Sequence, residues 1–384
     1  ALGYRSLKVN TTGANNVGVG YATLCTNTTG NDLVAIGCGA LYNNTTAADN
    51  IAVGYQSQFN TTTGHSNVSM GWQSMVTNST GINNTSIGFE SLKANTTASN
   101  NTAVGQQALK TNTTGCENVA VGRQALALNT TGDNNVAIGI YSLEANTTAN
   151  DNTAVGACSM VATTTGNFNV AIGTCTLFTG TTAATSVAIG HHAMKLTTTA
   201  SDNVAIGRSS LCTNTTGCRN TAVGRDSLKA NTTGIENVGV GSEALDSLTT
   251  GSFNTAVGYQ AVQAVTTGGY NTGLGYKALF SATGSLNVGV GWSSLLLNTS
   301  GADNAAVGTN SSERLTTGTC NVSFGTDAGG FVTTGTQNTF IGAKTGQNTT
   351  TGASNIVLGY LSNTSGADVD AEFVIGAGVT GSGG

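Results

Sequence analysis

A period of 17 residues runs along almost the whole chain and restricts the folds open to it. One glycine, called the anchor below, recurs every 17 residues from Gly3 to Gly275 and, after one residue is lost near Ser281, from Gly291 to Gly376. Seventeen residues are too few for two useful helices. Each unit therefore predicts one coil of short strands and tight corners, stable only when stacked on its neighbours. We expect an all-β protein, a single-domain β-solenoid of about 22–23 stacked coils.

The composition agrees with strands and narrows the functional classes. Of the 384 residues, 54 are glycine, none is proline and only 8% are charged. The many β-branched residues favour strands. A formal net charge of −5 with 13 Lys and Arg residues indicates no basic face for nucleic acid. No apolar run has membrane-spanning length, and no signal peptide is visible. Because the sequence starts inside a repeat, we expect it to be a processed product or an excised piece of a longer chain.

The positions of the unit, counted from the anchor, predict distinct columns along the stack. Position −1 is always apolar and position −3 is usually Val, Thr or Ile, so strand alternation predicts that both face the core. Leu or Met at position +4, such as Leu24 and Met75, predicts a second inward wall. Asn at position −4, as in Asn118 and Asn135, predicts a ladder of stacked amides. The scattered acidic residues at position −5 are interpreted as turn residues.

The pattern changes near the C-terminus. Position +4 there becomes Ser312, Gly329, Gly346 and Asn363. Several phenylalanines appear instead, which predicts a repacked core. We therefore expect a regular solenoid over residues 1–308. Over residues 309–384 we expect coils with an altered core and a polar cap. The alternative interpretation of these last coils is a docking surface for a further subunit. The phenylalanines are Phe324, Phe331, Phe340 and Phe373.

Position +1 carries aromatic residues in two stretches of coils and once near the C-terminus. They predict either ring stacking between neighbouring coils or an exposed aromatic column that contacts carbohydrate or another copy of the chain. This aromatic column consists of Tyr4, Tyr21, Tyr55, Trp72, Phe89, Tyr259, Tyr276, Trp292 and Tyr360.

Two further sets of residues suggest covalent modification. Asn at position +7, followed by Thr-Thr, matches the N-glycosylation pattern, and a plain Asn/Thr ladder is the alternative. Among eight cysteines, Cys158 and Cys175 share a position in successive coils, while Cys212 and Cys218 flank one corner. Each pair predicts a disulfide, with free buried thiols as the alternative. The glycosylation candidates are Asn10, Asn27, Asn44, Asn95, Asn112, Asn129, Asn146, Asn214 and Asn231.

Two stretches of sequence resemble known repeats. The segment Asn135-Val136-Ala137-Ile138-Gly139 resembles the head repeats of trimeric autotransporter adhesins. The fuller unit from Asn101 to Gly115 is similar to repeats of phage and giant-virus tail-fibre-like proteins. The resemblance implies a β-solenoid or β-roll, often trimeric, on a virion or cell surface.

These features predict a structural role rather than catalysis. We expect a shaft or fibre protein of an extracellular or virion surface appendage that self-associates as a homotrimer or filament, with an adhesive role left open. A glycan- or receptor-binding module using the aromatic column is the first alternative, and an ice-binding solenoid is the second. We expect no enzyme activity, cofactor or metal, and neither a nucleic-acid partner nor a membrane span; the three histidines have no suitable partners at a meaningful spacing.

Overall fold

The computed structural model describes residues 1–382 and is built from three-residue strands joined by turns and bends. The chain divides into two compact units, unit one (Ala1–His192) and unit two, which begins at Ala193. In each unit the paired strands are parallel, and strand residues pair with residues one repeat away, as Val119 does with Val136, 17 positions on. This register confirms the predicted all-β solenoid, in which each sequence repeat forms one coil.

The strands of unit one coincide with positions −3 to −1 of successive repeats. They are β1 Val17–Val19, β2 Val34–Ile36, β3 Ile51–Val53, β4 Val68–Met70, β5 Thr85–Ile87, β6 Thr102–Val104, β7 Val119–Val121, β8 Val136–Ile138, β9 Thr153–Val155, β10 Val170–Ile172 and β11 Val187–Ile189.

Unit two repeats the same arrangement and accommodates the missing residue without breaking the ladder. Thr272 of β16 pairs with Val288 of β17, 16 residues away, because the corner between them is one residue shorter. The strands are β12 Val204–Ile206, β13 Thr221–Val223, β14 Val238–Val240, β15 Thr255–Val257, β16 Thr272–Leu274, β17 Val288–Val290, β18 Ala305–Val307, β19 Val322–Phe324, β20 Thr339–Ile341, β21 Ile356–Leu358 and β22 Phe373–Ile375.

Left-handed residues make the corners and also join the coils. In a typical coil Gln124, Leu126 and Asn134, at positions +2, +4 and −5, have φ values of 56°, 50° and 57°. Left-handed backbone costs about 1–2 kcal/mol for a residue with a Cβ. A hydrogen bond between coils offsets this cost, since the Leu126 N–H donates to the Ser142 carbonyl of the next coil at 3.0 Å. The acidic residues at position −5, such as Asp151, share this conformation, which confirms them as turn residues.

The anchor glycine is required by a close backbone approach as well as by its φ value. Gly122 has φ 138°, and a Cβ placed on it would lie 2.5 Å from the carbonyl oxygen of Gly139 in the next coil. No other residue fits this contact without shifting the backbone. The 17-residue glycine period therefore marks a place where successive coils approach too closely for a side chain.

The predicted orientation of the strands is wrong. Position −2 faces the interior, where Ala35 and Ala137 are fully buried, while position −1 faces outward, with Ile36 and Ile138 about 40% exposed. The +4 column fills the interior as predicted, and Leu126 is fully buried. Because that column already occupies the narrow cross-section, only a small side chain fits opposite it, and the larger residues at −3 and −1 turn outward.

Near the C-terminus, one of the four phenylalanines enters the core. Phe340, at the inward position −2, is fully buried, whereas Phe324, Phe331 and Phe373 are exposed. The glycines at position +4 leave room for this ring, since a Cβ on Gly329 would lie 2.9 Å from Phe340 Cδ2. A large residue at −2 thus replaces the usual large residue at +4.

Candidate functional site

The asparagines at position −4 form the predicted ladder. In one rung, Asn135 Nδ2 donates to Asn118 Oδ1 at 3.1 Å and to the carbonyl oxygen of Ala149 at 2.8 Å. The Asn135 backbone N–H also donates to Asn118 Oδ1, at 3.0 Å. Each buried amide therefore bonds to neighbouring coils through both its side chain and its backbone, and the column holds coils in register.

The asparagines at position +7 form a second ladder, which excludes their use as glycan acceptors in this fold. Asn129 Nδ2 donates to Asn112 Oδ1 at 2.8 Å and to the Gly132 carbonyl at 2.9 Å. The candidates from Asn27 to Asn231 are fully buried, and Asn10 makes the equivalent bond to the Gly13 carbonyl. A glycan on Nδ2 would replace these bonds in the interior. The N-glycosylation interpretation is therefore wrong for the folded coils, and the ladder interpretation is confirmed.

Rings of the aromatic column are both exposed and stacked on one another. Tyr55 and Trp72 have ring centroids 5.9 Å apart, and Trp72 and Phe89 have centroids 5.0 Å apart, with planes inclined by 15° and 7°. Tyr276 and Trp292 approach to 4.2 Å. Trp72 nevertheless remains 42% exposed. This geometry confirms ring stacking between neighbouring coils.

Stacking limits what the aromatic column can bind. The face of Trp72 is covered on both sides by Tyr55 and Phe89, so the ring presents mainly its edge to solvent. A sugar ring that packs flat on an aromatic face would find open faces only at the ends of a stacked run. The carbohydrate hypothesis stays a prediction, confined to those terminal rings.

The threonine columns are largely used inside the coil. At position +8 the hydroxyl of Thr113 donates to the Thr130 carbonyl of the next coil at 2.9 Å, and at +6 the hydroxyl of Thr111 donates to the Ala127 carbonyl at 2.9 Å. Among the described residues, only those at position +9, such as Thr114, form an exposed threonine row. One row, rather than a flat array of several, gives the ice-binding alternative little support.

The four cysteines predicted to form disulfides are free thiols in the structure. Burial and the neighbouring Cys175 thiol raise the pKa of Cys158. Cys218 Sγ lies 3.5 Å from the Thr216 carbonyl oxygen. Burial raises the pKa of the half-buried Cys212 thiol, which also interacts with Lys195 and Lys229. Neither disulfide is formed in this structure, although the Cys158 and Cys175 thiols are neighbours that share a hydrogen bond.

A small charged network crosses successive coils of unit one. The buried Glu90 accepts a hydrogen bond from Lys93 through Oε1 at 2.6 Å and one from Gln107 through Oε2 at 3.0 Å. Lys110 Nζ lies 3.0 Å from the same Oε2. The hydrogen bond from Lys93 lowers the pKa of Glu90 from its usual 4.5 to about 2, although burial opposes the shift. The carboxylate is thus held ionised by partners from its own coil and the next.

A second charged network lies in unit two. Asp226 contacts Arg208, Arg225 and Lys229 at 3.3–3.5 Å, and Arg225 also pairs with Glu243. Burial raises the pKa of the nearby Asp246 carboxyl. These groups neutralise one another across neighbouring coils. Both networks act as polar connections between coils, in a chain that has few charges elsewhere.

One surface was missed from the sequence because the strand orientation was predicted wrongly. The outward residues at positions −3 and −1 of every described strand form what we call the sheet face. In unit one they include Val17, 46% exposed, and Met70 and Ile138, each 41% exposed. Every sheet-face residue in the described strands is aliphatic, Met, Phe or Thr. Within each unit the sheet face is therefore a continuous uncharged strip, and position +1 borders it two residues further along each coil.

The described residues contain no group of three His, Cys, Asp or Glu side chains placed to hold a metal ion. Nor does this part of the chain form any helix with the length and apolar character needed to cross a membrane.

No protein-family pattern matches the chain, and no curated protein is significantly similar to it. The resemblance to adhesin-head and tail-fibre repeats therefore stays a prediction.

Proposed function

We propose that this protein is a structural shaft or fibre component of an extracellular or virion surface appendage, and that it self-associates. The observation that carries the proposal is the pair of buried asparagine ladders, represented by Asn118–Asn135 and Asn112–Asn129. Hydrogen bonds between successive coils resist their separation along the stack, as side-chain ladders do in other stacked sheets.

The use of the remaining positions supports the same conclusion. The +4 leucines fill the interior, the +8 threonines bond to the next coil, and the exposed rings stack on one another. Most columns of the repeat therefore connect one coil to the next. A protein whose side chains mostly connect one coil to the next is suited to a role that requires mechanical stability.

The proposal is tested by negative-stain microscopy combined with proteolysis of the purified full chain. We expect elongated particles or filaments that resist trypsin at 37 °C although cleavable Lys and Arg residues such as Arg123 are exposed. Compact particles that trypsin degrades rapidly would contradict a shaft. Heating the sample above its melting temperature before adding trypsin provides the control, because the unfolded chain must then be cleaved.

A further inference from the structure

The sheet face is a continuous apolar surface of unit one to which no contact has been assigned. Its outward residues alternate with buried alanines, as Val136 and Ile138 flank Ala137. Strands β1 to β11 carry it through a single parallel register. Exposed apolar patches larger than a few hundred Å² are rare on soluble monomers and mark contact sites.

We propose that the sheet face of unit one binds the sheet face of a second copy of this chain. The inference rests on the proposed shaft function and specifies the surface through which the shaft self-associates. The two faces would pack as paired sheets do, about 10 Å apart, with rows of side chains from one copy lying between rows from the other.

The spacing of the rows argues for a second copy rather than an unrelated partner. Successive strands lie about 4.8 Å apart, so the β-branched side chains repeat at that interval along the face. A partner must match this interval over many coils to fill the grooves between rows. Another copy does so automatically, since Ile87, Val104 and Val121 present the same position in consecutive coils.

The charge of the sheet face points the same way. None of its residues in β1 to β11 is ionisable, and its polar members are the threonines Thr85, Thr102 and Thr153. A partner selected by electrostatic complementarity would find nothing to pair with on this surface. Two copies of an uncharged face can meet without burying an unpaired charge.

The available area reaches the minimum expected for a specific contact. A three-residue strand is about 10 Å long, and eleven strands at about 4.8 Å spacing extend about 50 Å. Unit one thus offers roughly 500 Å² of face per copy, or about 1,000 Å² for both copies, which reaches the lower range of specific interfaces.

The first test introduces charge on the sheet face and measures association by sedimentation over a concentration series. The double variant Ile87→Lys/Ile138→Lys places two lysines on the face, where the native side chains are 37% and 41% exposed. The matched control Val9→Lys/Leu128→Lys adds the same charge at position +6 of unit one, away from the sheet face, where the native side chains are 43% and 49% exposed. We expect the face variant to weaken association at least about 100-fold and the control to retain it, because only the face variant buries charge.

A second test needs no substitution. Met70 lies on the sheet face and is 41% exposed, whereas Met75, Met160 and Met194 are fully buried. Methionine oxidation by peroxide follows exposure. We expect Met70 of the wild-type chain to oxidise several-fold more slowly at concentrations where it is associated than where it is dilute.

The outcomes separate this inference from the shaft proposal. Association that survives in the face variant, or a Met70 oxidation rate independent of association, overturns the inference and leaves a shaft assembled through another surface. A wild-type chain that stays monomeric at every concentration also overturns it, while microscopy and proteolysis judge the shaft separately. If the lysine variant fails to fold, Ile87→Thr/Ile138→Thr replaces it, since threonine already occupies sheet-face positions such as Thr85.

Discussion

At the scale of single residues, a buried asparagine at position +7 finds partners for both ends of its amide only where the next coil also carries asparagine. The Oδ1 atoms of Asn44, Asn146 and Asn231 have no hydrogen-bond partner among the described residues. In each case the next coil carries a different residue at position +7; after Asn44 it is Thr61. Interrupting a ladder therefore leaves a buried acceptor unpaired, which costs about 1–3 kcal/mol.

Joining two ladders should stabilise unit one. Thr61 is buried with an unpaired hydroxyl and lies between Asn44 and Asn78 in the +7 column. In Thr61→Asn the new amide can donate to Asn44 Oδ1 and accept from Asn78 Nδ2. We expect the free energy of unfolding of unit one, followed through Trp72 fluorescence during urea denaturation, to rise by about 1 kcal/mol.

The matched substitution for this test is Thr63→Asn, two residues along the same coil at an exposed position. It should change stability by less than about 0.5 kcal/mol. Equal effects of the two substitutions would show that the interrupted ladder is not the cause.

Glu90 should make unit one sensitive to acid. Its pKa is lowered from 4.5 to about 2 in the folded chain, first by the hydrogen bond from Lys93. A carboxyl with a lowered pKa stabilises the fold fully above pH 4.5, and that contribution disappears as the pH falls towards 2. We expect Glu90→Gln to lower the melting temperature at pH 7 and to match the wild type near pH 2. A difference that is constant from pH 7 to pH 2 would contradict this assignment.

At the scale of the element, each coil balances the volume at two facing positions. Most coils combine Ala at −2 with Leu or Met at +4, as Ala137 and Leu143 do. The coil of Phe340 reverses the sizes, with glycines at +4 in its own coil and in the preceding one. The interior therefore accepts different residues when their combined volume is preserved.

A double-mutant cycle at Phe340 and Gly346 tests this balance. A Cβ on Gly346 would overlap the Phe340 ring, and the glycine has φ 66°, so Gly346→Ala should destabilise unit two by about 2–4 kcal/mol. Phe340→Ala alone should cost about 3–5 kcal/mol through the cavity it leaves. In the double variant the added methyl has room, so we expect the total loss to be at least about 1 kcal/mol smaller than the two single losses combined. Additive losses would reject the volume coupling.

At the scale of the whole molecule, stability should be local. Coils contact mainly their sequence neighbours, so the free energy of folding is approximately a sum of coil and interface contributions. A substitution in one unit is then felt little by distant coils, and a single unfolding free energy does not describe the chain well. The compact units recognised in the structure divide at His192 and Ala193.

The two tryptophans report on this locality, since Trp72 lies in unit one and Trp292 in unit two. In the single-tryptophan backgrounds Trp292→Phe and Trp72→Phe, which keep an aromatic ring in each stack, urea unfolding is followed by fluorescence. We expect Thr61→Asn to raise the midpoint reported by Trp72 and to leave that reported by Trp292 almost unchanged. Equal shifts at both tryptophans would indicate cooperative unfolding of the whole chain.

The sequence by itself determined the period, the coil, the interior leucine column and the ladder at position −4. All of these follow from residues that recur at one spacing and can satisfy themselves only by stacking. Tertiary structure alone decided which face of each strand is buried. Alternation at Val136, Ala137 and Ile138 fits either orientation, and the choice depends on the space left by Leu143 and its equivalents across the coil. That choice turns the predicted core residues outward and creates the sheet face. The left-handed φ of the leucines was also decided by the tertiary structure, because hydrogen bonds between coils, rather than local preference, impose it.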